Sequence, residues 1–496
     1  MATWQAATQS VLSELEQRYE SAKKNTETFY PQEITGTVYY ISSVRGNDAN
    51  DGKSENTPWK SCEMLKNVPL AAGDTVLFEC GSLFRESMGI VSGVTYSSYG
   101  SGKKPKFYGS INASQETDWE QIAPDLYRYC ENIVWHNDIG NIVFDGGRAW
   151  GIKIQKCDDC DMSLRLVGVS NGIDFFEEIP SVPFACGEQL PHVNLAYFHS
   201  NDGFIYLYCM GGNPAKVFSS IELSQSVKIF NNGYTENVTF SNLHFSNVAC
   251  FAIRTVGCKN MQVYNCAFEF IGGAIQFGFN APWRNYKTRY GNGIENWGGC
   301  EGMTVKNCYF HQIYDAGITT QSNDEDAHQE YLCYEDNVFD CNQYAFEIWS
   351  GGKDCRFTDI SVSKNVCKRV ADGLPTQRPD KGHEAFFNSK GNYNKTNCRV
   401  EDNLILGSVG SLIRCNQLRT KLYDNGYIFN RNVYVSRKNQ QFALISKEYP
   451  SHSSNLQAVP YNEKTVELLS CEKQELNGMF YYFDGKDIDY ENFNCE

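Results

Sequence analysis

Three acidic residues, Glu295, Asp315 and Glu347, fall in segments that read as successive short strands: GNGIENW, DAGITTQ and YAFEIW. Glycosidic hydrolysis needs one carboxylic acid to protonate the leaving oxygen and one carboxylate to act as base or nucleophile. Acids delivered from consecutive strands to one face would meet that need. If Ile294, Ile318 and Phe346 face inward, strand alternation sends Glu295, Thr319 and Glu347 outward. Adding FAIRT, GAIQF and GSLIRC extends the interior column to Ile253, Ile275 and Ile413, and the outward column to Arg254, Gln276 and Arg414. In HEAFFN either Phe386 or Phe387 could face in. Two residues past the outward positions come Trp297, Gln321 and Trp349, and an indole face stacks well on the apolar face of a sugar ring.

With two rungs between them, the backbones of Glu295 and Glu347 should lie roughly 9–10 Å apart, which leaves the carboxyls within the roughly 5–9.5 Å that covers both retaining and inverting hydrolysis. Asp315, just before its strand, could pair with either glutamate. The expected set is Asp315 with Glu347 as acid/base and nucleophile or base, with Glu295 binding substrate or raising a partner's pKa by like-charge repulsion. The competing reading is a solvated acidic face and two tryptophans packed beneath loops at 279–292 and 372–383. His383 and Glu384, in KGHEAFF after a loop with Pro and Gly, are further candidates for a substrate-binding rim. The acidic run 323–328 could bind calcium through oxygen ligands, but it lacks calcium-loop spacing, so no cofactor or metal is expected.

The chain that must position these residues has 41 Gly, 14 Pro, 30 Tyr and 30 Phe, a composition of turns and β-forming aromatics. Its 59 acidic and 44 basic residues give a net charge of −15, which argues against nucleic acid as a partner. No window approaches the roughly 18 apolar residues of a membrane span, and residues 1–5 lack the layout of a secretory signal, so a cytoplasmic location is expected. Of 20 cysteines only Cys157 and Cys160 form a CxxC, with no zinc-type partner motif, and buried thiols are the favoured reading.

Residues 3–24 place Trp4, Val11, Leu12, Leu15 and Tyr19 near one helical face, which predicts an amphipathic helix that caps the fold. From Tyr39 onward short β-rich runs take over. VYNCAF, VKNCYF, YEDNVF, SKNVC, VEDNLI and NRNVY put Asn265, Asn307, Asn337, Asn365, Asn403 and Asn432 at steps of 42, 30, 28, 38 and 29 residues. Such a period suits a parallel β-helix, an all-β solenoid whose stacked coils let recurrent turn asparagines bond in a ladder. Three parts follow: a helical segment over 1–35, the β-helix over 36–435 with a β-rich insertion around 112–235, and a terminal cap over 436–496.

Residues 38–109 add a more specific signal: Gly46-Asn47-Asp48, Asp51-Gly52, Pro58, the run GDTVLF at 73–78, Phe84-Arg85-Glu86, Tyr99-Gly100 and Pro105. This pattern resembles the opening coils of right-handed parallel β-helix carbohydrate-active proteins of the pectate-lyase-like superfamily. The resemblance covers most of 36–435 and implies the fold more than the reaction, because the superfamily holds hydrolases, lyases, epimerases, esterases and tailspikes.

The expected function is hydrolysis of an oligosaccharide or glycoside, exo-acting if the chain meets imported fragments. A lyase would need a Lys, Arg or His base beside a uronate, often with calcium, and Arg254, Lys381, His383 and Arg414 keep that alternative open. A non-catalytic carbohydrate-binding solenoid is the third reading. The long exposed side of a solenoid could also support an oligomer.

Overall fold

The computed structural model describes residues 1–134, 137–156, 194–200, 203–276, 288–352, 354–378, 384–390, 394–408, 410–416, 426–446 and 456–483, with short strands at 164–166, 169–170, 173–174, 181–183 and 189–191. His383, Lys381, Cys157 and Cys160 lie outside the described residues, as do 279–287 of the loop at 279–292 and 379–383 of the loop at 372–383. Two large sheets, of 20 and 11 strands, build a right-handed parallel β-helix.

The coils stack because each inward position repeats an apolar side chain. Ile253, Ile294, Ile318, Phe346, Phe387 and Ile413 are in register on consecutive strands and almost wholly buried. On the second sheet Phe245, Phe268, Phe310 and Phe339 align the same way. Their rings stack at 5.1, 4.6 and 4.8 Å between centroids.

The asparagine ladder exists, with a different start from the one the sequence suggests. Asn337 donates from its backbone N and its Nδ2 to Oδ1 of Asn365, both at 3.0 Å. Asn365 repeats this to Asn403 at 2.9 and 3.0 Å, and Asn403 to Asn432 at 2.9 Å twice. Asn265 and Asn307 do not belong to the series. They occupy the preceding, left-handed turn position, with φ of 51° and 56°, where later coils carry Asp336, Lys364, Asp402 and Arg431. Cys266 and Cys308 take the ladder position, and Cys308 N donates to Asn337 Oδ1 at 2.9 Å. Asparagine suits both places, as a paired amide and as a residue that tolerates positive φ, so the motif alone left the phase open.

At the other end Asn432 donates its Nδ2 to Glu475 Oε1 at 2.8 Å and its N to Oε2 at 3.2 Å. The Glu475 carboxyl ends the ladder because its two oxygens accept the two bonds that Asn432 donates. Burial pushes Glu475 up to about 7, against hydrogen bonds from Tyr434 and Asn432 that pull it down. The native chain therefore holds a proton that the unfolded chain, near the ordinary 4.5, releases. This group's stabilisation is full below that window and is lost as pH rises through about 7. Glu475→Gln is expected to flatten the corresponding fall in denaturant midpoint between about pH 5 and about pH 8.

The N-terminal segment runs lengthwise along the solenoid. Thr3–Ala6 pairs in parallel with Met479–Phe483 on the last coil, and Trp4 stacks on Tyr482 at 4.6 Å. The helix is thus shorter than expected, Gln9–Thr26, capped by Thr8 Oγ1, and Trp4 belongs to a strand. Leu12, Leu15 and Tyr19 pack on Tyr309, Val338, Val366, Leu404 and Val433, which come from successive coils. The helix therefore covers a flank of several coils rather than an end. The end of the helix and the strap beyond it are held by the two asparagines outside the ladder and by Asn242: Asn307 Nδ2 donates to Asn25 O at 2.9 Å, Asn265 Nδ2 to Thr28 O, and Asn242 Nδ2 to Tyr30 O at 2.8 Å.

The insertion leaves and re-enters through Ser110–Asn112 and Ile221–Gln225, which pair antiparallel. Lys228–Asn231 is already a coil strand, with Phe230 in register with Ile253. The insertion is fixed to the solenoid by Asn141 Nδ2 on Gly272 O at 2.7 Å and by Gln377, whose side chain bonds Lys153 N at 2.9 Å and Gly151 O at 2.9 Å. Gln441–Ser446 adds one more strand after Ile413–Asn416, and Leu456–Pro460 covers it in antiparallel fashion.

Candidate active site

One outward column runs along the 20-stranded sheet in register: Asn231, Arg254, Glu295, Thr319, Glu347, Asn388 and Arg414. The inward neighbours fix its direction. A neighbouring column, two residues on, carries Val256, Trp297, Gln321 and Trp349. The alternation read from the sequence therefore brings both glutamates to one wall, with Thr319 between them.

The structure also fixes the positions of Ile275, Gln276, Asp315 and the open phase of HEAFFN. Ile275 and Gln276 do not belong to the columns: Ile275 pairs antiparallel with Arg289, and Gln276 N donates to Thr288 O at 2.8 Å. Ala274–Ile275 pairs antiparallel with Arg289–Tyr290 instead of adding a rung to the column, so Arg254 is the direct neighbour of Glu295. Phe387 is the inward residue of the 385–390 strand, which sends Asn388 outward beside Glu347. Asp315 sits four residues before Thr319, about 13 Å along the strand at the usual rise. It is held by the guanidinium of Arg378 at 2.7 Å. The structure thus puts Glu295 and Glu347 on one outward column, with Asp315 at the strand entry beside Arg378. Glu384 lies at the same strand-entry corner, buried against Gly410.

The two carboxyls have different surroundings. Glu295 is 4% exposed and accepts from Asn292 Nδ2 at 2.6 Å and from Gln321 Nε2 at 3.1 and 2.9 Å. Asn292 is itself oriented, because its Oδ1 accepts the backbone N–H of Ala316 at 2.8 Å, which leaves its amide nitrogen for the carboxyl. Burial pushes Glu295 up to about 7; the hydrogen bonds from Gln321 and Asn292 oppose this, and the charge of Glu347 adds to it. Glu347 is 5% exposed and accepts from Asn388 Nδ2 at 2.8 Å. Asn292 and Asn388 were not singled out in the sequence. The phase of FFN was the one signal that could have found Asn388.

Trp297 and Trp349 are half-buried and meet edge to face, at 5.8 Å and 82°, across the rung of Gln321. Arg414 is buried and its Nη1 donates to Tyr344 Oη at 3.3 Å. Around the acidic run, Ser322 Oγ donates to Asp324 Oδ2 at 3.1 Å, and among the described residues no group of three or more His, Cys, Asp or Glu side chains is arranged to hold a metal.

Fold and site together define a parallel β-helix protein with two buried glutamates on one wall. No family model matches the chain. Over 118 residues it is 35% identical to a lacto-N-biosidase of Bifidobacterium longum, a stretch that makes up 22% of this chain and 7% of that protein's length. Among solved structures it is similar to XylC, determined with xylose, at 11% identity and a TM-score of 0.44, covering 91% of this chain and 76% of the other. It is similar also to a GH136 lacto-N-biosidase from Eubacterium ramulus, at 13% identity and a TM-score of 0.40, covering 90% and 67%.

Proposed function

We propose that the protein is a glycoside hydrolase acting on an oligosaccharide or glycoside, with Glu295 as general acid and Glu347 as nucleophile or base. The observation that carries this reading is the Glu295–Thr319–Glu347 column, in which burial holds one carboxyl protonated near neutrality beside a second. Glu295 delivers its proton to the glycosidic oxygen as the bond to the anomeric carbon breaks. Glu347 either takes a proton from the attacking water or bonds to that carbon and is released by water in a second step. The local likeness to a protein named as a lacto-N-biosidase supports an oligosaccharide substrate.

Exposure along the column falls toward Asn388 and Arg414, which are 0% and 7% exposed, whereas Asn231 and Arg254 at its other end are half-buried. That asymmetry favours exo action, with the released unit seated at the Asn388 end. Hydrolysis should fall as pH rises through about 7, because Glu295 then loses the proton it must donate. Loss of activity only below about pH 5 would contradict that assignment. The test is the pH profile of kcat/KM on a panel of chromogenic glycosides. Trp297→Ala and Trp349→Ala are expected to raise KM several-fold to about tenfold with a smaller change in kcat, as befits stacking worth about 0.5–1.5 kcal/mol.

A further inference from the structure

The two oxygens of the Glu295 carboxyl are held unequally. Oε2 accepts from Asn292 Nδ2 at 2.6 Å and from Gln321 Nε2 at 2.9 Å, whereas Oε1 accepts from Gln321 alone, at 3.1 Å. Asn292 is kept from offering its oxygen instead, because that oxygen already accepts the N–H of Ala316 at 2.8 Å. A neutral carboxyl has one carbonyl oxygen, whose two lone pairs take two donors, and one hydroxyl, which gives a hydrogen. Oε2 matches the first and Oε1 the second.

Gln321 stands in register with Trp297 and Trp349, on the column beside the glutamates, so its side chain leaves the sheet on the same face as Glu295 and one rung away. The two indoles meet across its rung. Gln321 is half-buried and makes no other hydrogen bond among the described residues. An amide that served a sugar alone would turn both ends to the groove, whereas this one gives its nitrogen to a buried carboxyl. The other charged and titratable groups around Glu295 come from several elements: Arg254 on the preceding rung, Glu347 two rungs on, and Tyr290 and Cys250 beside the strand entry. Among the described residues none of these donates a hydrogen bond to the carboxyl, which leaves Gln321 and Asn292 as its donors. Burial raises the proton affinity of Glu295, and Gln321 opposes burial more than Asn292 does.

We infer that Gln321 is a positioning residue for the acid: its amide nitrogen, with that of Asn292, fixes Oε2 as the carbonyl oxygen of Glu295 and leaves the transferable proton on Oε1. The task of that proton rests on the hydrolytic reading above; its place on the carboxyl does not. The experiment is a pH titration of the full chain, of Gln321→Leu and of Gln321→Glu, read in two ways. One is tryptophan fluorescence without substrate, with Glu295→Gln as the blank, since Trp297 lies two residues from Glu295 on the same face. The other is kcat and KM on the chromogenic glycoside of a panel that is turned over fastest. The unaltered chain should show a fluorescence step near pH 7 that Glu295→Gln lacks. Both Gln321 variants should move that step, and the alkaline limb of kcat, upward by about one pH unit or more, because a donor to the ionised carboxyl is lost. On the acid side of the limb kcat should fall about tenfold while KM stays within about threefold. Leucine removes the donor and glutamate keeps the size, so agreement between the two separates the bond from packing. A step and limb left near pH 7 in either variant, with KM raised or not, overturns the proposal, as does a downward shift or the lack of any step that Glu295→Gln removes. A step that moves as expected in a protein that hydrolyses no glycoside sinks the hydrolytic reading and leaves the placement of the proton standing.

Discussion

Glu347→Gln is expected to lower kcat by about 10²–10⁴-fold, the usual contribution of a positioned acid, base or nucleophile. The exchange keeps size and shape and leaves Asn388 Nδ2 an oxygen to bond, so the coil should remain intact. Sugar binding followed by tryptophan fluorescence should survive, because Trp297 and Trp349 stand on the neighbouring column rather than on Glu347 itself. Glu295→Gln should be comparably slow on substrates with poor leaving groups and much less impaired on activated aryl glycosides, whose departure needs little proton donation. It should also lose the alkaline limb that Glu295 imposes near pH 7. Asp315→Asn tests the alternative pairing. Its carboxylate is committed to Arg378 at 2.7 Å, so the change should act through the strand-entry corner and leave the pH profile in place.

The second large effect concerns the frame. Asn365→Ala is expected to destabilise the protein by about 3 kcal/mol, since it leaves Asn337 N and Nδ2 without their acceptor and Tyr334 O without its donor, all in the dry interior. Asn307→Ala should cost far less, about 1 kcal/mol or below, since its amide makes one exposed bond to the strap. Denaturant midpoints of the two variants check the phase of the ladder: equal effects would contradict it.

How far the sequence could be read follows from what each signal measures. Alternation of Ile294, Glu295 and of Phe346, Glu347 is a local property of a strand, so the outward direction of both glutamates was legible. The opening coils carry turn residues at fixed offsets, so the solenoid was legible too. Register between coils is set by how many residues each turn expends, and the antiparallel pairing of Ala274–Ile275 with Arg289–Tyr290 hid that Arg254 adjoins Glu295. The surroundings of Asp315 were not legible, because sequence gives the face of a strand but not where along it a carboxyl lies, nor that Arg378, 63 positions away, would pair with it. Asn265 and Asn307 were placed in the ladder because they stand in the same apolar-Asn segments as the later asparagines, and nothing local says that there the following cysteine takes the inward place.

The most direct test of hydrolysis between Glu295 and Glu347 is turnover of a susceptible glycoside in water enriched in heavy oxygen, with the released sugar weighed by mass spectrometry for the unaltered chain and for Glu347→Gln. One heavy oxygen on the anomeric carbon of the released sugar, accumulating at least about a hundredfold more slowly in Glu347→Gln, is the predicted result. An unlabelled product with an unsaturated uronate end, or labelled product at the same rate in both proteins, would contradict it.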